Sequence, residues 1–350
     1  MRKWMIGFFF AFSSLMACAQ NEEIQRLVKE GVALNDQGDY EGAIKKYDEA
    51  LAIDKDDYIA NYEKSFTCLY AKKLDACISI CKMLLEKYPS HPDLGAVYTN
   101  YGSAVDDSGD PQGAIKIFDE GIRKYPGYYM LYFNKGLSLM RMKKYDQALE
   151  SYIQAMTINP LHPSSNFYTA SLLQKDQNIP CVLAYCTFLA VEPQSNRSKT
   201  AFDALQEILN QNVKKDGNNT TIFISSDMLD KKKKKKNQEN DFSDIELSFS
   251  LLGALDGSKG MDSIVKTNAD KFDFKLQMLI DMLKGNKKGK KGFYWEHYVP
   301  FFANMKEKNF TPVLSQLIYL AGDDQDAKDW VQNNPDQIKA FFNWLKEYKW

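Results

Sequence analysis

From Ile24 to about Gln194 the chain alternates short amphipathic blocks with polar breaks, and within each block the apolar and small residues recur at helical spacing. Two of the breaks hold a glycine, in Gln37-Gly38-Asp39 and Ser108-Gly109-Asp110, and prolines at 89, 126 and 160 close the units. Each pair of blocks therefore reads as a helix-turn-helix hairpin. One hairpin also echoes another, since GDYEGAIKKYDEALAID at 38–54 returns as GDPQGAIKIFDEGIRKYP at 109–126. A sequence that repeats itself in this way is a building unit before it is a site.

The repeat has a measurable period. Gly31, Ser65, Gly102, Gly136 and Ala170 follow one another at steps of 34, 37, 34 and 34 residues, with a three-residue insertion near 91–93. The same steps relate Ala43, Cys77, Ala114, Ala148 and Val182, then Tyr47, Cys81, Phe118, Tyr152 and Cys186, then Ala50, Leu84, Gly121, Ala155 and Leu189. Four columns in register predict a solenoid, in which no unit buries its own apolar face and each stacks on the next. The small columns let paired backbones approach, and the larger column fills the gap to the following unit.

These columns resemble the tetratricopeptide repeat, whose pattern places Gly or Ala, Ala, an aromatic, Ala and Pro at such offsets. The resemblance covers residues 24–194 as five repeats and implies an all-α, right-handed solenoid of helix-turn-helix hairpins, followed by a small helical C-terminal region. It further implies a concave groove lined by the first helix of each unit. Carried onto this chain, the groove residues include Tyr62, Phe66 and Tyr70 in repeat 2 and Phe133, Leu137 and Arg141 in repeat 4, with Asn100 and Asn134 placed to hold a peptide backbone. The clamp by which some members hold an acidic C-terminal carboxylate is not expected, because Val28 and Val32 stand where it needs Lys and Asn. Repeat 1 carries Lys55 in place of the closing proline, and Pro180 at the turn of repeat 5 predicts a bent last unit.

Beyond the repeats the pattern changes. Residues 195–213 place Ala201, Leu205, Ile208 and Leu209 on one face, as a helix capping the stack would. Residues 214–241 form a Lys-rich linker with an isolated strand expected at 220–225, and the run of Lys231–Lys236 reads as solvated. Residues 242–350 form a C-terminal helical domain, with a capping box at 243–246 opening a helix to 255, an amphipathic helix at 272–283 and a last helix from Pro335 to Tyr348.

The first nineteen residues are patterned otherwise, with Arg2 and Lys3 ahead of an apolar run from Trp4 to Met16 and then small residues. This is the layout of a signal peptide at 1–19, and it places the mature chain in the periplasm or on the outer membrane. Cleavage before Gln20 and lipidation of Cys18 both fit, and no later segment is apolar enough to span a bilayer.

Charge and chemistry narrow the function. A net charge of -1 gives no reason to expect nucleic acid, and the flanking acids deny the lysine run a binding role. Cys68 lies opposite Cys77 and Cys81 across one hairpin, so a Cys68–Cys77 disulfide is possible, whereas three cysteines without a fourth ligand make no metal site. The histidines are His91, His162 and His297, the first two at repeat ends where exposed turn positions are expected, and no phosphate loop, nucleophile elbow or paired C-x-x-C occurs. No cofactor or enzymatic role is expected. The expectation is a non-catalytic scaffold of the cell envelope that binds a peptide or protein. Two alternatives rest on GFYWEHYVPFF at 292–302: glycan binding through Tyr294 and Trp295 with the aromatics of 293–302, and a hydrolase using Glu296 and His297. Neighbouring positions on a helix point apart, so core packing is the simpler reading of that stretch.

Overall fold

The computed structural model describes residues 2–174, 177–216, 219–223, 239–252 and 265–350. The chain divides into two compact units, residues 1–154 and 155–350. The first holds α1 (Arg2–Asp36), α2 (Tyr40–Ile53), α3 (Tyr58–Tyr70), α4 (Leu74–Lys87), α5 (Leu94–Asp107), α6 (Pro111–Lys124), α7 (Tyr129–Arg141) and most of α8 (Tyr145–Ile158). These are four successive hairpins. The first helices α1, α3, α5 and α7 touch one another as a layer, and each second helix packs against the first helix of the next hairpin.

The columns of the sequence become contacts. A Cβ on Gly31 would stand 2.4 Å from the Tyr47 ring, and one on Gly102 would stand 2.3 Å from the Phe118 ring. Glycine is thus required where an aromatic follows sixteen residues later. In repeats 2 and 5 the small position carries a Cβ, as Ser65 and Ala170, and the partner shrinks to Cys81 and Cys186. A Cβ at the small position thus goes with a partner that has no ring for it to meet.

The turns are alike as well. Gly38 and Gly109 have φ of 80° and 96°, and the equivalent Lys72 and Lys143 have φ of 59° and 58°. Repeats 2 and 4 therefore keep the same left-handed turn under lysine, which is why glycine marks only half of the breaks in the sequence. Asp39 and Asp110 then cap α2 and α6 by accepting from Gly42 N at 3.0 Å and Gly113 N at 2.8 Å.

The helix α1 runs unbroken from Arg2, so the stretch expected to be a signal peptide is continuous here with the first helix of repeat 1. Cys18 falls in the segment 1–18, whose side chains lie outside the described residues, as do Lys231–Lys236. Among the described residues no helix is long and apolar enough to cross a membrane.

The second unit contains α9 (Pro163–Leu173), α10 (Asn178–Val191), α11 (Ser198–Asn210), a hairpin of β1 (Val213–Asp216) and β2 (Asn219–Ile222), and α12 (Glu246–Leu252), α13 (Asn268–Asn286), α14 (Val299–Glu307), α15 (Thr311–Ala321), α16 (Gln325–Asn333) and α17 (Pro335–Glu347). Its centre is α10, where every residue from Ile179 to Ala190 is buried. Helices apolar on all sides need neighbours on all sides, and α10 has them in α9, α11, α12 and α15. The fifth repeat thus shares one compact unit with the C-terminal region. Pro180 sits inside the first turn of α10, where its missing N–H costs nothing, rather than at a bend between helices.

Other boundaries differ for local reasons. The strand expected at 220–225 is real over 219–222 but pairs antiparallel with β1, with Val213 opposite Ile222. The helix α12 begins at Glu246, later than a box with Ser243 as its cap would start it, and the Ser243 N–H donates to Asp241 Oδ1 at 3.0 Å. The reciprocal box instead opens α13, between Thr267 and Asp270. Ala201, Leu205, Ile208 and Leu209 are buried on α11 as expected, and Pro335 opens α17.

Candidate interaction face

The layer of first helices in the first unit carries the residues expected to line a groove. On α3 the buried side is made of small residues, Ala60, Asn61, Ser65, Thr67 and Cys68. Its aromatic residues lie outside this buried set: Tyr58 and Tyr62 pack half-buried against the edge of the core, while Tyr70 faces outward. Ile59 and Tyr70 are 56% and 53% exposed, with Tyr62 and Phe66 half-buried between them. Phe66 and Tyr70 have ring centroids 4.7 Å apart, Tyr40 lies 6.4 Å from Tyr70, and Tyr58 stacks on Tyr62 at 6.4 Å. Burial pushes the phenol of Tyr62 well above the usual tyrosine range, so it is a neutral hydrogen-bonding group at any working pH.

Two of the expected lining residues are core instead. Phe133 is 8% exposed and packs 5.7 Å from the Tyr152 ring, because Gly136 one turn on leaves room for both. Asn100 is 4% exposed, and its amide donates to Ser65 Oγ at 3.2 Å in the preceding repeat. It is therefore occupied in holding repeats together. Asn134 is half-buried, donates to Met130 O at 2.8 Å and accepts from Ser103 Oγ at 3.4 Å. Leu137 is half-buried, and Arg141 is exposed.

Polar contacts at one-repeat spacing run along the same layer. Thr67 donates to Asn35 at 2.9 Å; Arg141 bridges Asp106 at 3.2 Å and Asp107 at 2.9 Å; Lys72 reaches Asp107 at 2.8 Å. Burial holds the Asp106 carboxyl above its ordinary value, opposed by the Ser138 hydroxyl and by Arg141. The two salt bridges that hold Asp107, from Lys72 and Arg141, offset its own burial and leave its carboxyl below the ordinary value. Exposed ion pairs of this kind contribute less than about 1 kcal/mol each, so their effect is to fix the register of neighbouring helices more than to stabilise them.

The cysteines are structural. Cys68 and Cys77 are buried free thiols, so the disulfide considered from the sequence is not formed. The Cys77 Sγ donates instead to Asn100 O at 3.8 Å. Burial pushes the Cys68 thiol up, which makes it a poor nucleophile.

The aromatic stretch of the second unit is not a surface. Residues Tyr294–Tyr298 form a π-helical turn, and Trp295 is 0% exposed. Its ring stacks on Phe242 at 4.4 Å and its indole N–H donates to Asp241 O at 3.1 Å. Tyr298 is enclosed too, and its hydroxyl donates to Asn166. A sugar ring has no access to Tyr294 or Trp295. Glu296 is exposed, while His297 stacks on Phe293 at 4.8 Å and burial lowers its basicity, so the two do not converge on one target. The histidines at repeat ends are also engaged. His91 stacks on Tyr58 at 3.6 Å, and His162 caps α9 by accepting from Ser165 N at 3.3 Å.

Comparison with known proteins agrees with this architecture. Residues 34–101 and 129–161 match family models described as tetratricopeptide repeat. A human protein, tetratricopeptide repeat protein 28, is 31% identical over 88 residues, which is 25% of this chain and 4% of that protein. Photosystem I assembly protein Ycf3 of Synechococcus sp. (strain CC9605) is 23% identical over 126 residues, or 32% of this chain and 73% of that protein. Among solved structures, Pseudomonas aeruginosa pilF has a TM-score of 0.47 at 20% identity, covering 55% of this chain and 86% of that one.

Proposed function

From the premise that this chain belongs to the tetratricopeptide repeat family, we propose that it is a non-catalytic interaction scaffold of the cell envelope that seats a protein or peptide on the inner layer of its first unit. The observation that carries the site is the outward-facing stripe of α3. Apolar residues on a helix surface are ordinary singly, but Ile59, Phe66 and Tyr70 share one face of α3, with Ile59 and Tyr70 exposed and Phe66 half-buried between them. Such a stripe is the surface on which an extended or helical segment can lie. A relative named as an assembly protein accords with a scaffold role. Placement in the envelope rests on the apolar run of 4–16 behind Arg2 and Lys3.

A crosslinking capture from intact cells tests the site. Wild-type chain is expected to hold a defined protein that the Phe66→Ala, Tyr70→Ala double variant loses at unchanged thermal melting. Equal capture by both would remove α3 as the contact surface. Mass measurement of the purified native chain tests the location, since a start at Gln20 or a lipidated Cys18 is expected and an intact Met1 would overturn it.

A further inference from the structure

Resting on that interaction-face reading, we propose that the segment seated on α3 carries a Lys or Arg flanked by apolar residues. The argument begins with Glu63, which lies in the middle of the stripe, next to Tyr62 and one turn before Phe66. Glu63 is half-buried, and the charge of Asp36 on α1 reaches it. Neither Glu63 nor Asp36 forms an ion pair with a described residue.

Elsewhere on the same layer the carboxylates are neutralised. Asp106 and Asp107 are held by Arg141 and Lys72. One turn beside the stripe, Lys64 is already committed to Asp48 at 2.5 Å. The face is thus charge-balanced at repeats 3 and 4 and carries two unbalanced carboxylates at repeats 1 and 2.

A partly desolvated carboxylate without a partner selects what may cover it. A neutral apolar segment would strip its remaining water and return nothing. An acidic segment would add a third like charge. A Lys or Arg lying over Glu63 and Asp36 supplies the missing counter-charge, and its apolar neighbours cover Ile59 and Tyr70 on either side. The stem of such a side chain also packs well on aromatic surface.

The test uses the full chain and fluorescent peptides of about twelve residues, with a central Lys between Leu and Phe, against matched peptides carrying Gln or Glu there. Wild type is expected to bind the Lys peptide about tenfold more tightly than the Gln peptide and the Glu peptide least, with the preference narrowing as salt rises. In Glu63→Gln the Lys-to-Gln ratio is expected to fall close to one while binding of the Gln peptide is kept, and Asp36→Asn, on an exposed residue, is expected to lower it in part. Equal binding of Lys and Gln peptides to wild type, with both lost in Phe66→Ala, Tyr70→Ala, would overturn the cationic specificity and leave the interaction face standing. Binding of none of the peptides would remove both.

Discussion

Two aromatic-bearing stretches of this chain have different fates. YIANYEKSFTCLY on α3 leaves Tyr70 exposed and its other three rings half-buried, whereas FYWEHYVPFF at 293–302 buries Tyr294, Trp295, Tyr298, Phe301 and Phe302. The difference lies in what occupies the other side of the helix. On α3 the inward positions are Ala60, Ser65, Thr67 and Cys68, which let α4 and the neighbouring first helices approach closely and hold rings only at the edge of that contact. At 294–298 the wider π-helical turn brings successive aromatics to the same interior, against Phe242, Asn166 and one another. Aromatic content therefore does not decide exposure; the size of the residues opposite does.

The sharpest way to break this comparison is to truncate one ring on each side of it. Trp295→Ala is expected to destabilise the second unit by about 3–5 kcal/mol, measured by denaturant titration, because it empties a fully enclosed site and orphans a hydrogen bond. Loss of less than about 1 kcal/mol would mean that the stretch is not core.

The second unit should also respond to pH. Burial, with the nearby Asp241, pushes the Glu246 carboxyl up to about 7. The folded state then binds a proton that the unfolded state releases, so stability is greatest in acid and falls as pH rises from the ordinary carboxylate range to about 7. The expected loss is about 2–3 kcal/mol, and Glu246→Gln should flatten it. His162 acts in the opposite sense. Burial and Arg197 lower it to about 4, so its contribution is lost as pH falls from about 6.5 to about 4, and His162→Asn, which keeps a capping oxygen, should reduce that acid sensitivity.

Closer to the proposed interaction face, Gly102→Ala is expected to cost about 1–3 kcal/mol, because its Cβ would meet the Phe118 ring. Adding Phe118→Cys should recover part of it, by reproducing the Ala170 and Cys186 pairing of repeat 5. The smallest effect belongs to the outward stripe, where Tyr70→Ala should change stability by less than about 0.5 kcal/mol while weakening any segment held on α3. A large loss of stability there would make Tyr70 a packing residue and collapse the contrast with Trp295.

The aromatic column, expected to fill the gap to the following unit, packs instead on the glycine of its own hairpin. The period of the columns and the helical content were legible because they are local or recur at fixed spacing. The turn under Lys72 and Lys143 was not, since lysine carries no mark of a left-handed backbone until the neighbouring repeats fix it. Tertiary structure alone decided that Asn100 and Phe133 turn inward, that Glu63 has no counter-charge among the described residues, and that the fifth repeat gathers the C-terminal helices around α10, while for the aromatics of 293–302 it bore out the core reading that helical spacing favoured. Each of these depends on what a distant part of the chain places opposite a side chain, and a pattern read along one strand of sequence holds the spacing of residues but not the company they keep.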